Sequence, residues 1–142
     1  MHLKSIDLKG FKALLILFAL LLSGCGSDAQ INFYDKSLKS KKLNCLNFNS
    51  SSKGELEEYL KTLYKFDNSC KNTLSISYKS DIVCKSSYNA PIKATSNFPN
   101  SYLTLEVKRG FKLLYSYYID LNHKPTKSDV KEAFSRLKDD IL

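Results

Sequence analysis

The stretch SYLTLEVKRGFKLLYSYYIDL, residues 101–121, contains two runs of alternating apolar and polar side chains separated by one glycine. A period of two is typical of strands that bury one face, so this stretch predicts a β-hairpin. A two-residue turn at residues 109–110 would set Val107 against Lys112, whereas a three-residue turn at residues 108–110 pairs apolar side chains with each other. Because a slip of one residue reverses which side chains face inward, we predict the three-residue turn.

This register assigns the side chains of the hairpin to two faces. It sets Leu105 opposite Leu113 in the core. The second strand then turns a row of apolar side chains inward: Phe111, Leu113, Tyr115, Tyr117, Ile119 and Leu121. Three bulky side chains lie on the opposite face: Tyr102, Leu114 and Tyr118. These three either form a surface for a partner or lipid or are covered by a loop of the same chain.

Two shorter stretches predict further strands. TLSISYK, residues 73–79, alternates with the same period, and a turn leads from it into a continuation at residues 82–85. KLNCLNF, residues 42–48, is interpreted as a short strand. Residues 86–100 contain two prolines and no period, which indicates a long loop.

Two other stretches have the spacing of amphipathic helices, each opened by a capping box in which two side chains satisfy each other's backbone N–H groups. Ser52 and Glu55 open a helix predicted over residues 53–66, and Thr126 and Asp129 open a second one. The predicted inner faces consist of Leu56, Tyr59, Leu60 and Leu63 in the first helix and Val130, Ala133, Phe134, Leu137 and Ile141 in the second. The first helix leaves its charged side chains to water: Glu57, Glu58, Lys61 and Lys65.

The order of these elements is strand, helix, several strands, helix. It predicts an α+β domain with a mainly antiparallel sheet of four to five strands and two helices packed on one face. A single domain over residues 43–142 accommodates all of them, which fits the usual size of one hydrophobic core.

Three cysteines, Cys45, Cys70 and Cys84, belong to this domain. They form no C-x-x-C motif and no histidine cluster accompanies them, so neither a metal site nor a cofactor is expected. In an oxidising compartment one pair can form a disulfide. The favoured pair is Cys45 with Cys70, which brackets the first predicted helix, and pairing of Cys84 with either partner stays open.

The first 24 residues have the three parts of an export signal. A basic stretch, residues 1–12, precedes an apolar run, residues 13–22, and two small residues follow. The apolar run is shorter than the roughly 20 residues that a transmembrane helix needs. We therefore predict a signal peptide over residues 1–24.

The motif Leu22-Ser23-Gly24-Cys25 resembles the lipobox of bacterial lipoproteins. The resemblance implies that the signal is cleaved before Cys25 and that the thiol and the new amine of this residue receive acyl chains. Two or three acyl chains hold a protein stably on a membrane. Because no aspartate follows the cysteine directly, the family pattern implies anchoring in the outer membrane.

The chain after the predicted signal is basic. Its 118 residues carry 19 Lys and Arg against 13 Asp and Glu, a formal charge of +6. Residues 25–42 are polar and rich in lysine, so we predict that they form the lipidated cysteine and a tether. A basic body is attracted to anionic headgroups or glycans, although such a charge more often belongs to a solvated surface without a specific partner. Nucleic acid is not expected as a partner, because export separates the chain from it.

No catalytic constellation is present in the sequence, since the lone histidine of the domain, His123, has no nucleophile or acid at a suitable spacing. The chain is therefore predicted not to be an enzyme. The order of elements is similar to that of the lipopolysaccharide-assembly lipoprotein that plugs an outer-membrane barrel, and it suits a pilot lipoprotein or a surface adhesin equally well. We expect an accessory or binding role in contact with another envelope protein, or alternatively the binding of an anionic envelope lipid or glycan.

Overall fold

The computed structural model describes residues 29–50, 54–82 and 99–142. In chain order, the elements are β1 (Gln30–Phe33), a 3-10 helix (Lys36–Lys39), β2 (Asn47–Phe48), α1 (Glu55–Leu63), β3 (Asn72–Lys79), β4 (Ser101–Arg109), β5 (Lys112–Leu121) and α2 (Lys127–Ile141). The five strands form one sheet in the order β1-β5-β4-β3-β2. Among the described strands only β2 and β3 pair in parallel. The predicted α+β class with a mainly antiparallel sheet is confirmed, while the packing of both helices on one face stays a prediction.

The core follows the alternation of the central strands. Every second side chain is buried from Asn72 to Ile76 in β3 and from Ser101 to Val107 in β4. Helix α2 buries the five side chains that its spacing predicts, and its capping box is confirmed: Asp129 Oδ2 accepts from the Thr126 N–H at 2.7 Å. Both helices contribute to one buried cluster with β3, β4 and β5.

The β4–β5 hairpin forms, but its predicted register is wrong. Lys108 pairs with Leu113 and Val107 pairs with Tyr115, which leaves Leu114 as the extra residue of a β-bulge. Leu105 accordingly lies opposite Tyr117 and not opposite Leu113. The prediction assumed uninterrupted pairing, whereas the bulge lets two consecutive side chains, Leu114 and Tyr115, enter the core. Phe111, predicted in the core, is fully exposed.

The segment predicted as a tether is part of the fold from Ala29 onward. Strand β1 pairs antiparallel with β5, so the apolar patch near Ile31 completes an edge of the sheet. Backbone N–H and C=O groups of β5 that would otherwise lack partners are thereby satisfied. Leu38 of the following 3-10 helix is buried in the core, as is Leu43. The prediction of a tether over residues 25–42 is wrong for the residues that the structure describes.

The first helix differs from its prediction at its beginning. Its N-cap is Gly54, which makes no side-chain cap, and the predicted cap Ser52 lies outside the described residues. Glu57, predicted to face water, is buried and accepts a hydrogen bond from Tyr78 Oη at 3.1 Å. A Cβ at position 54 would lie 2.5 Å from the Glu57 carboxylate and 2.6 Å from the Tyr78 hydroxyl, so a larger residue there would force this hydrogen-bonded pair to shift. Burial and the bond to Glu57 raise the pKa of Tyr78.

The remaining strand predictions are partly confirmed. TLSISYK forms β3 with the predicted inner row, whereas KLNCLNF is a strand only at Asn47–Phe48. Leu43 and Leu46 of that stretch are buried outside a strand. Most of the predicted continuation at residues 82–85 and of the loop at residues 86–100 lies outside the described residues.

Candidate functional site

The turn of the β4–β5 hairpin presents an aromatic side chain to solvent. Gly110 and Phe111 are the two central residues of this turn, and Gly110 has a φ of 60°. Glycine with positive φ at the first central position is typical of a type II′ hairpin turn, in which the second residue is unrestricted. The Phe111 side chain has a relative exposure of 107%. Three cationic residues flank the turn: Lys108, Arg109 and Lys112.

Arg109 is held in place by the disulfide region. The structure confirms the favoured pairing, with a bond between Cys45 and Cys70. Asn72, which is buried, donates through Nδ2 to the Cys45 carbonyl at 3.4 Å and to Cys70 Sγ at 3.7 Å. The Oδ1 atom of Asn72 accepts from Arg109 Nε at 2.9 Å. This chain of contacts fixes the stem of an exposed guanidinium and leaves its terminal N–H groups for a ligand.

An open cleft of about 540 Å³ adjoins this arrangement. Four of its lining residues are cationic: Lys41, Lys42, Lys71 and Arg109. Lys42 Nζ donates to the Asp139 carbonyl oxygen at 2.6 Å. Within the described residues, the side chains of Lys41 and Lys71 have no partner and Arg109 has no acidic one. Charges without acidic partners attract an external anion.

A second exposed aromatic lies at the same end of the sheet. Tyr34 follows β1 and is 56% exposed, and its backbone N–H donates to the Leu114 carbonyl at 3.0 Å. The next residue, Asp35, donates its N–H to the same carbonyl at 3.1 Å, so the β-bulge and the start of the 3-10 helix fix each other. Lys39 of that helix lies over the Phe33 ring, 5.1 Å from its centre.

Two acidic side chains lie among these cations. Glu106 forms an ion pair with Lys108 at 2.6 Å, and Asp35 lies 3.6 Å from Lys112 Nζ. Hydrogen bonds from Ser37, with a smaller contribution from Lys112, hold the pKa of Asp35 below its usual value. Cations still predominate, and we name the group the basic end. It consists of the turn residues and the cations around them: Tyr34, Lys36, Lys39, Lys41, Lys42, Lys71, Lys108, Arg109, Phe111 and Lys112.

The site residues predicted from the sequence have different outcomes. Cys25 and Cys84 lie outside the described residues, so lipidation stays a prediction. The predicted surface of Tyr102, Leu114 and Tyr118 is wrong for Leu114, which is only 1% exposed. Tyr102 and Tyr118 stack on each other with ring centres 5.8 Å apart. The Tyr118 hydroxyl donates to Asp120 Oδ1 at 2.6 Å, which raises the pKa of Tyr118 to about 12.

The basic end was missed at the level of sequence because its parts are far apart in the chain. Phe111 was assigned to the core by the assumed register. Lys71 and Arg109 become neighbours through the pairing of Asn72 with Arg109 in the β3–β4 ladder. The local signal that could have revealed it is KRGFK, residues 108–112, in which one aromatic residue stands among cations at a glycine turn.

The described ranges, 29–50, 54–82 and 99–142, offer little other candidate chemistry. No three His, Cys, Asp or Glu side chains in them are arranged to hold a metal ion. In the same ranges no helix has the length and apolar character needed to cross a bilayer. A second open depression, of about 570 Å³, lies between β1 and α2, but charges of both signs line it: Glu132, Arg136 and Asp139.

Comparison with known proteins adds no relative. The chain matches no protein-family model, no curated protein and no solved structure. The chemistry of its own residues therefore supports the functional assignment.

Proposed function

We propose that the protein is a bacterial envelope lipoprotein, held on the outer membrane by acyl chains on Cys25, whose folded domain binds an anionic component of the envelope through the basic end. The role is one of binding and not of catalysis. Headgroup phosphates and acidic glycans are the ligands that share this chemistry. Nucleic acid is not proposed, because an exported domain does not meet it.

One observation carries the binding proposal: Arg109, Lys71 and Lys41 line a single cleft without an acidic partner among the described residues. Even an exposed ion pair contributes little, and these three cations form none with a described residue, so their charges are available to an external anion. Here the guanidinium is oriented by a buried amide and a disulfide, which reduces the entropy that binding an anion would cost.

The proposed contact with another envelope protein through Tyr102, Leu114 and Tyr118 has weaker support. Leu114 is buried, and the two tyrosine rings pack on each other. A protein partner with an acidic surface remains compatible with the basic end, and the salt dependence of binding distinguishes it from an apolar contact.

Charge reversal tests the anion site. We expect the Lys71→Glu/Arg109→Glu variant of the full-length protein to bind inorganic polyphosphate at least about tenfold more weakly than the parent, because charge-assisted hydrogen bonds contribute about 1.5–3 kcal/mol each. The matched control, Lys124→Glu/Lys131→Glu, changes the net charge equally with two exposed lysines near the start of α2, and should retain most of the affinity. Equal losses of affinity in both variants would show that binding depends on net charge and not on this site.

The anchor is tested separately. The Cys25→Ala variant should either leave the membrane fraction or accumulate as the uncleaved precursor, because only the thiol of Cys25 can receive the diacylglyceryl group that precedes cleavage. Fractionation and mass measurement check both outcomes. A variant that is cleaved and membrane-bound like the parent would refute lipidation while leaving the anion site intact.

A further inference from the structure

We propose that Phe111 inserts into the anionic membrane surface to which the chain is anchored, so that the ligand of the basic end is a lipid bilayer. This inference rests on the proposed function and names its ligand. The apolar side chain of Phe111 is fully exposed to solvent at the tip of a two-residue turn. Gly, Pro, Asn, Asp and Ser predominate in turns, so a fully exposed phenylalanine among three cations fits an apolar and anionic environment in the bound state.

The surroundings of Phe111 match a membrane interface. Interfacial anchors combine aromatic side chains, which enter the boundary between headgroups and acyl chains, with Lys and Arg, which bind headgroup phosphates. Phe111 has Arg109 and Lys112 on its two sides, and Tyr34 provides a second exposed ring at the same end. Each lysine or arginine close to an anionic leaflet adds attraction that salt weakens.

The shape of the site favours a bilayer over a soluble glycan or a protein. Phe111 is fully exposed at the tip of the turn, and it is not among the residues that line the open cleft beside Arg109. A partner protein would need a pocket for the ring. A hydrated glycan binds through its charges and would gain no affinity from contact with an apolar side chain. A bilayer accepts a projecting ring without a preformed pocket, and its phosphates complement the flanking cations.

The position of the anchor permits this contact. Gln30 lies opposite Tyr118, and Tyr118 is six residue steps from Lys112 along β5, a distance of about 20 Å. Four residue steps from Cys25 to Ala29 span at most about 14 Å. A membrane that holds Cys25 is thus within reach of the basic end when the strands lie along its surface with the edge strand β1 nearest. Tyr34, Lys36 and Lys39 continue that edge toward the hairpin tip.

The chain contains no tryptophan, so a Phe111→Trp variant carries a single fluorescent indole at the tip. The test reconstitutes this full-length variant into vesicles of phosphatidylcholine alone or of phosphatidylcholine with phosphatidylglycerol. The N-terminal region should attach the protein to both vesicle types. The ring of an interfacial residue lies roughly 5–10 Å into the boundary region, so brominated acyl chains should quench the indole in the anionic vesicles. Its emission should also move to shorter wavelength there, and high salt should reverse both effects.

A Tyr59→Trp variant is the matched control. Tyr59 lies on α1 beside Lys127 at the start of α2, away from the hairpin tip, so its indole should respond equally in the two vesicle types. On the unsubstituted chain, trypsin cleavage after Arg109 and Lys112 provides a second readout. Anionic vesicles should slow cleavage at these two bonds and leave cleavage after Lys131 unchanged.

The outcomes separate this inference from the proposed function. An indole at position 111 that stays in water on anionic vesicles, while Lys71→Glu/Arg109→Glu still loses polyphosphate binding, refutes insertion and leaves a soluble glycan or an acidic protein as the ligand. Equal quenching in both vesicle types refutes the proposal that the cations of the basic end bind anionic headgroups. If charge reversal weakens neither polyphosphate binding nor vesicle contact, both proposals are refuted.

Discussion

Arg109 donates a hydrogen bond from Nε to the side-chain oxygen of Asn72 at 2.9 Å, and Asn72 is itself bound to the two cysteines of the disulfide. A surface cation is thereby connected to the covalent framework of the domain through one buried amide. Most exposed arginines lose conformational entropy when they bind an anion. The contact with Asn72 means that part of this loss has already occurred in the free protein.

The first prediction concerns this pair. Asn72→Ala should weaken polyphosphate binding by about 0.5–1.5 kcal/mol, the usual net contribution of one hydrogen bond, because Arg109 loses its orientation. In an Arg109→Ala background the same change should have almost no effect on affinity. A double-mutant cycle measured by titration at low salt quantifies the coupling. The control Ser77→Ala lies on the same strand with an exposed side chain. Equal losses with and without Arg109 would show that Asn72 acts only through stability.

The second prediction concerns the disulfide. Its cysteines are 25 residues apart and enclose β2 and α1, so the bond restricts a long loop of the unfolded chain. Replacing both Cys45 and Cys70 by serine should lower the free energy of unfolding by about 3 kcal/mol on the chain-entropy account. Urea denaturation measures the change. Cys84→Ser, which keeps the bond, should unfold like the parent, and an unchanged midpoint in the double variant would contradict the assigned role.

Local patterns were sufficient for the elements that bury one face. Helix α2 was predicted with its capping box and its five buried side chains. Both signals, the apolar spacing of 3.6 residues and the Thr-to-Asp cap, depend only on residues of the helix itself. Strand β3 was predicted for the equivalent reason, a period of two. The favoured disulfide followed from the loop that it closes and is present.

The errors arose where a distant segment decides the structure. The bulge at Leu114 is stabilised by the N–H groups of Tyr34 and Asp35, which bind its carbonyl, and no pattern within residues 101–121 reports that contact. Without knowledge of β1, the rule that apolar residues pair across a hairpin favoured a register that buries Phe111. The same omission made the β1 segment look like a tether. The basic end combines residues from three segments of the chain, 34–42, 71 and 108–112, so no one of them reveals its full charge.

The third prediction concerns alkaline pH. The hydrogen bond to Asp120 raises the pKa of Tyr118 to about 12 in the folded state, against an ordinary value of 10.0. Below pH 10 the phenol is neutral in both states and its contribution is fully present. Between pH 10 and 12 the unfolded chain ionises first, so stability falls as pH rises. Tyr118→Phe and Asp120→Asn should each make this decline shallower in urea unfolding midpoints measured from pH 9 to 12. A decline as steep as in the parent would contradict the pKa shift of Tyr118.

The last prediction distinguishes the observed hairpin register from the one with a three-residue turn. Leu114 is 1% exposed at the bulge, whereas Phe111 is fully exposed at the turn. Leu114→Ala should therefore lower the free energy of unfolding by about 2–5 kcal/mol, because it removes buried methyl groups and leaves a cavity. Phe111→Ala should change it by less than about 0.5 kcal/mol, as substitutions at solvated positions do. With the three-residue turn the order would be reversed, since Phe111 would face Val107 in the core and Leu114 would lie on the other face. Urea unfolding of the two variants decides between them, and a larger loss for Phe111→Ala would refute the bulge. The same measurement supports the membrane experiment, because a tip residue that contributes little to folding can be replaced by tryptophan without disturbing the domain.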